Sequence, residues 1–213
     1  MAYGTVNADV IGTSVAGSNL GAGNASIMKN RIINGAMVID QRNAGAATNP
    51  VTSSGYYSCD RWRLLNSVTS KLSIQQNAGS VTPPVGYTNY LGCTSLSAYA
   101  VSSTDNFGLQ QRIEGYNIAD LCWGSANAKT VTLSFQVYSS LTGTFGGALQ
   151  NSAGDRSYPF SYSIPVANTW TPISITIVGA TTGTWNTTNL LGILLNFSLG
   201  TRSKSTRLNS SHY

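Results

Sequence analysis

Along most of the chain apolar and polar residues alternate with a spacing of two. The cleanest run is Thr130 to Tyr138, where Val131, Leu133, Phe135 and Val137 alternate with Thr132, Ser134 and Gln136. That pattern predicts a strand with one buried and one wet face. Pro172 to Val178 repeats it through Ile173, Ile175 and Ile177, and Leu191 to Leu199 through Ile193, Leu195 and Phe197. Further strands are predicted at Tyr158 to Ile164, at Lys71 to Gln75, and at Phe107 to Ile113. In Tyr56 to Leu65, Trp62 and Leu64 fall on one face and Arg61 and Arg63 on the other. Asn34-Gly35 reads as a turn in which glycine supplies a positive φ. Asn117 to Cys122 reads as one helical turn capped by Asn117. Gly143 to Gly154 and the loop around Pro83-Pro84 and Gly86 read as connections.

Short alternating runs parted by Gly/Asn/Ser/Pro loops, with no strand–helix–strand rhythm, predict an all-β, antiparallel β-sandwich or barrel. The expected core between its sheets is Val131, Leu133, Phe135, Val137, Ile173, Ile175, Ile193 and Leu195. Residues 1–26 are mostly Gly, Ala, Ser and Asn and are expected to be a flexible arm or attachment segment, since they have little apolar area to bury.

Composition supports this reading. Charged residues make up 9% of the 213, against about 25% in ordinary soluble domains. Glu114 is the only glutamate, which argues against long solvated helices. The net charge of +5 is spread thinly and forms no basic stripe, so nucleic acid is not an expected partner. No apolar run approaches the roughly 20 residues that span a bilayer, so membrane insertion is not expected either. Cys59, Cys93 and Cys122 fit no zinc spacing, and an odd number cannot complete a disulfide framework. They read as free thiols of a chain folded in a reducing cytoplasm.

The single histidine, His212, lies in the C-terminal stretch discussed below. Without it, serine and cysteine triads lack their usual base, and histidine metal sites are lost. Glu114, Asp120 and Asp155 could supply a glycosidase pair, but their surroundings mark no pair, and surface carboxylates in local hydrogen bonds are the simpler reading. The expectation is a non-enzymatic chain with no cofactor and no metal. Binding chemistry remains. Trp123, beside Gly124 and the Asn127 loop, and Trp185, in the loop Gly183 to Asn189, are the candidate exposed rings for carbohydrate, with Asn127 as a polar partner. Packing in the core is the alternative for each ring.

Four segments together carry a family resemblance. These are NRIINGAMVIDQRNAG (Asn30 to Gly45), CDRWRL (Cys59 to Leu64), QQRIEGYNIADL (Gln110 to Leu121) and AKTVTLSFQVYSS (Ala128 to Ser140), with Thr169-Trp170 further on. Over about residues 27–200 the chain resembles a family of phage tail-fibre-associated proteins. The N-terminal Tyr3 to Gly12 is similar to the start of such proteins. The resemblance implies a carbohydrate-binding-like jelly roll over 27–202. It also implies a tail or receptor-binding component of the virion, made in the bacterial host cytoplasm. Its partners would be a host-surface glycan and other tail proteins, and it would assemble as a homotrimer. A purely structural fibre domain is the first alternative and a fragment of a polysaccharide depolymerase the second. The family's closing Q-L-E-x-G and F-E-x-R-P-like elements are absent, which implies C-terminal truncation and an incomplete edge. Consistent with that expectation, KSTRLNSSH (Lys204 to His212) matches, residue for residue, one reading frame of a widely used sequencing-adapter oligonucleotide. Residues 203–213 are therefore expected to be an adapter-derived tail.

Overall fold

The computed structural model of the protein describes residues 29–48 and 56–201. The segments 1–26 and 203–213 lie outside the described residues. The strands among the described residues fall in the unit Ile32–Tyr213.

The described residues form ten strands, joined by loops and short 3-10 turns. These are β1 (Tyr56–Tyr57), β2 (Trp62–Asn66), β3 (Leu72–Gln76), β4 (Leu91–Ser95), β5 (Asn106–Glu114), β6 (Val131–Val137), β7 (Gly143–Gln150), β8 (Ser157–Ile164), β9 (Thr171–Ile177) and β10 (Leu191–Thr201). Six of them make one sheet in the order β1-β2-β5-β10-β7-β8, while β3–β4 and β6–β9 form two-stranded ribbons. Every pairing is antiparallel. The all-β, sandwich-like class read from alternation is the observed one.

The layers meet through aromatic rings. Phe135 of β6 meets Tyr162 of β8 edge-on at 5.1 Å and Phe197 of β10 at 4.9 Å. This places the inner face of the β6–β9 ribbon on the large sheet. Leu133, Ile177, Ile193 and Leu195 are buried between them, with Trp62 behind. Val131, Phe135, Val137, Ile173 and Ile175 keep the expected alternation but are only half-buried. A ribbon of two strands leaves its flanks open, so full burial is confined to its middle and one end.

Several local readings are corrected. Gly143 to Gln150, expected as a loop, is strand β7, paired with β10 on one side and β8 on the other. Its glycines answer to packing: a Cβ on Gly147 would collide with the Asn196 carbonyl oxygen and with the Phe160 ring. In the Asn34-Gly35 turn the left-handed residues are Asn34 and Met37, each with φ 55°, and not Gly35. Asn117 caps no helix. It closes a 3-10 turn, Gly115–Asn117, followed by a second, Ala119–Leu121. The open edges expected on the C-terminal side do not fall on β10, which has a neighbour on each side. Among the described residues they fall on β1 and β8 and on the ribbons.

Candidate functional site

The candidate sugar platforms Trp123 and Trp185 are both core residues, each 6% exposed. Their rings meet edge to face at 4.8 Å. Trp123 Nε1 donates to the Lys129 carbonyl at 2.8 Å and Trp185 Nε1 to the Thr182 carbonyl at 3.2 Å, so both polar handles are satisfied internally. Gly124 lets the two loops close on each other. Its φ is 89°, and a Cβ there would lie 2.5 Å from the Gly183 carbonyl oxygen. The expectation that these rings face solvent is therefore corrected: two glycine-rich loops shelter them by docking together. Asn127 is exposed, but the two rings it was expected to assist are buried.

The segments that carried the family resemblance brace the fold. Asn34 Nδ2 donates to the carbonyls of Ile39 (2.8 Å) and Asp60 (2.9 Å), while its Oδ1 accepts from Ile39 N–H (3.0 Å). The Asn34 carbonyl accepts Trp62 Nε1–H at 3.1 Å. Gln111 holds Ile33 by both backbone groups, accepting its N–H at 3.0 Å and donating to its carbonyl at 2.9 Å. Asp60 accepts the Gln41 N–H at 2.9 Å, and Arg61 pairs with Glu114 at 2.9 Å. The Asn-Gly, Asp-Arg-Trp and Gln-x-Ile-Glu elements are thus one interlocked bracket that pins residues 32–42 across β2 and β5.

Glu114 is engaged with Arg61, and Asp155 accepts from Asn151 Nδ2 at 2.6 Å. Cys59, Cys93 and Cys122 are free thiols. Burial, with Asp40 and Asp60 nearby, pushes the Cys59 thiol up to about 12.

The feature best suited to a ligand had no strong signal in the sequence. A groove of about 280 Å³ lies on the outward face of the β6–β9 ribbon, lined by Tyr87, Ser134, Gln136, Pro172 and Ser174. Strand alternation accounts for its polar floor, because Ser134 and Gln136 are the wet-face residues between Leu133, Phe135 and Val137. Register sets Ser134 directly opposite Ser174 and Gln136 opposite Pro172. Its wall comes from elsewhere. The loop before β4 turns back at Pro84–Tyr87, where Tyr87 N–H donates to the Pro84 carbonyl at 3.0 Å and Gly86 takes φ 89°. Trp170 Nε1 ties this loop down through the Thr82 carbonyl at 2.8 Å, with its ring held between Tyr90 (5.7 Å) and Tyr138 (5.4 Å). Tyr87 is left 48% exposed on a stiff support. No charged side chain lines this groove. A pyranose has an apolar face of C–H bonds and a rim of hydroxyls. The Tyr87 and Pro172 rings suit the face, and the two serines and the Gln136 amide suit the rim. In the sequence the only pointer to this loop was its Pro-Pro and Gly punctuation.

No family model matches this chain, and no curated protein matches it. Among solved structures the chain is similar to the enzymatically active domain of tailspike protein 4 of bacteriophage CBA120, at 12% sequence identity and a TM-score of 0.39. That match covers 65% of this chain and 18% of the other. No helix among the described residues is long and apolar enough to cross a membrane.

Proposed function

We propose that the chain is a non-catalytic component of a phage tail that binds host-surface carbohydrate in the groove beneath Tyr87. The observation that carries the binding reading is an exposed aromatic ring on a braced loop, beside a row of hydroxyl and amide groups that register alone lines up. The tail assignment is supported by the set of motifs between residues 27 and 200. Placed in an oligomeric fibre such as a homotrimer, with other tail proteins holding the copies together, a weak site gains strength through multivalency. A purely structural role is the second reading, favoured by the way the family-like motifs are all engaged in bracing the fold.

The test is retention on immobilised host polysaccharide and on a glycan array. Tyr87→Ala removes a stacking contact worth about 1 kcal/mol, so retention should fall roughly fivefold with an unchanged melting temperature. Unchanged retention, or no glycan bound by the parent, would leave the structural reading standing. Reducing sugar released from the same polysaccharide would instead identify a depolymerase.

A further inference from the structure

A β-sheet edge presents a row of unpaired N–H and C=O groups, and folded chains blunt such edges with proline, charge, bulges or shortness. Most edges of the described residues are blunted or covered. β1 is two residues long, β4 is short, and Thr48 bridges Ile74 on the side of β3 away from β4. In β8, Pro159 stands opposite Ala148, and in β9 Pro172 stands opposite Gln136. Proline has no N–H to exchange with a partner. Each is therefore a non-hydrogen-bonded pair, whose backbone groups point away from the neighbouring strand. The outward rows of β8 and β9 are each interrupted by a proline that cannot donate.

Strand β6 lacks all of these devices. Its sequence, Val131 to Val137, has no proline and no charged residue, and its register with β9 runs without a bulge. Because Gln136–Pro172 is non-hydrogen-bonded, so are Ser134–Ser174 and Thr132–Thr176, the alternate pairs of the same ladder. The N–H and C=O groups of Thr132, Ser134 and Gln136 thus all point to the free side of β6. Among the described residues no strand pairs there, these groups take no other backbone hydrogen bond, and all three residues are exposed. On the inner side of the strand Val131, Phe135 and Val137 are only half-buried, so its apolar row is incompletely covered as well.

The strand is complementary to a copy of itself. Antiparallel pairing about Ser134 uses its whole length. Ser134 then meets the partner's Ser134 and Thr132 meets the partner's Gln136, and each pair exchanges both backbone bonds. On the inner side Leu133 meets the partner's Phe135 and Val131 the partner's Val137, so apolar faces apolar throughout. Lys129, the charged residue nearest to β6 in the chain, faces the partner's Ser139 in this register and not another cation.

We propose that β6 is the seam of a two-fold symmetric dimer, in which two β6–β9 ribbons join into one antiparallel sheet of order β9-β6-β6-β9. Such a contact is isologous and closes on itself. The inference does not rest on the glycan reading. It bears on it, because Ser134 and Gln136 also floor the Tyr87 groove, and the dimer sets the two grooves side by side on one sheet face.

The experiment follows backbone amide exchange of the full chain by NMR over a concentration series, with sedimentation velocity on the same samples. A dimer should form as concentration rises. Exchange of the Thr132, Ser134 and Gln136 amides should slow with it, while Ser174 and Thr176 on the β9 edge stay fast. Ser134→Pro spares the β6–β9 bonds, because that N–H points away from β9, and should abolish the dimer. Charge reads the register. Ser134→Lys and Ser134→Asp each set like charges opposite one another across the two-fold axis, on Cα atoms about 5.5 Å apart. Each should weaken the dimer roughly fivefold. Mixed in equal amounts, the two variants should pair with each other more tightly than either pairs with itself. A chain that stays monomeric throughout the series, an oligomer that Ser134→Pro leaves intact, or a mixture no tighter than its components overturns the proposal. None of these readouts involves glycan, so failure here is distinct from failure of the carbohydrate reading.

Discussion

Gln111 offers a sharp test of how the N-terminal bracket holds. Its side chain is 1% exposed and clamps both backbone groups of Ile33, as a neighbouring strand would. Gln111→Ala removes two hydrogen bonds worth about 1 kcal/mol each and leaves a small cavity. Ile33 is itself 39% exposed, so water can take up its freed groups. The expected loss is therefore about 2–3 kcal/mol. Gln111→Glu is more discriminating. In its protonated form the introduced carboxyl group still accepts from the Ile33 N–H and donates to its carbonyl. In its ionised form it sets a buried negative charge against that carbonyl. Both burial and the carbonyl raise the folded-state pKa of the introduced group above its unfolded value. The variant should then approach parental stability below about pH 4, where the group is protonated in both states. It should fall behind as pH rises through the folded-state pKa, by about 1.4 kcal/mol for each unit of elevation. The assay is urea unfolding of parent and variant between about pH 4 and 7, the range set by the carboxyl titration, followed by tryptophan fluorescence. A stability difference that stays flat with pH, or an alanine variant as stable as the parent, would refute the clamp.

Other perturbations give equally definite outcomes. Trp123→Ala should cost about 3–5 kcal/mol, as expected for truncating a buried aromatic ring, and should lower the melting temperature before it changes glycan retention; a folded, stable variant would show that the ring is not core. The Asp105 carboxylate is held below its ordinary value of 3.8, first by the Ser102 backbone N–H and also by hydroxyls of Ser67 and Tyr99. Its contribution is present above that pH and lost as pH falls through the lowered value, so Asp105→Asn should flatten the acid limb of a pH–stability curve. In native protein a disulfide-exchange reagent should label exposed Cys122 quickly and buried Cys59 only after denaturant is added, as mass spectrometry of labelled peptides would show.

The strands were legible where one side of the chain meets water and the other meets core. There a two-residue period is written directly into the residues, as in Val131 to Val137 and Leu191 to Leu199, and the all-β class follows from it. The same period marked Ser134 and Gln136 as wet-face residues. Alternation is silent where both faces of a strand are covered and glycine is demanded by a neighbour. Gly143 to Gln150 reads as a loop because its small residues answer to the Phe160 ring and the Asn196 carbonyl, which are distant in sequence. Burial of Trp123 and Trp185 is of the same kind: each lies in a segment that looks like an exposed loop, and only the docking of two such segments shelters the rings. The Tyr87 groove and the open edge of β6 are likewise products of tertiary structure. A groove wall comes from a loop far along the chain from its floor, and an edge is open only because the order of the strands in space, which is not their order in sequence, pairs no strand with it. Composition and period are local properties and survive in the sequence. Contact between distant segments depends on how the whole chain closes, and no local pattern encodes it.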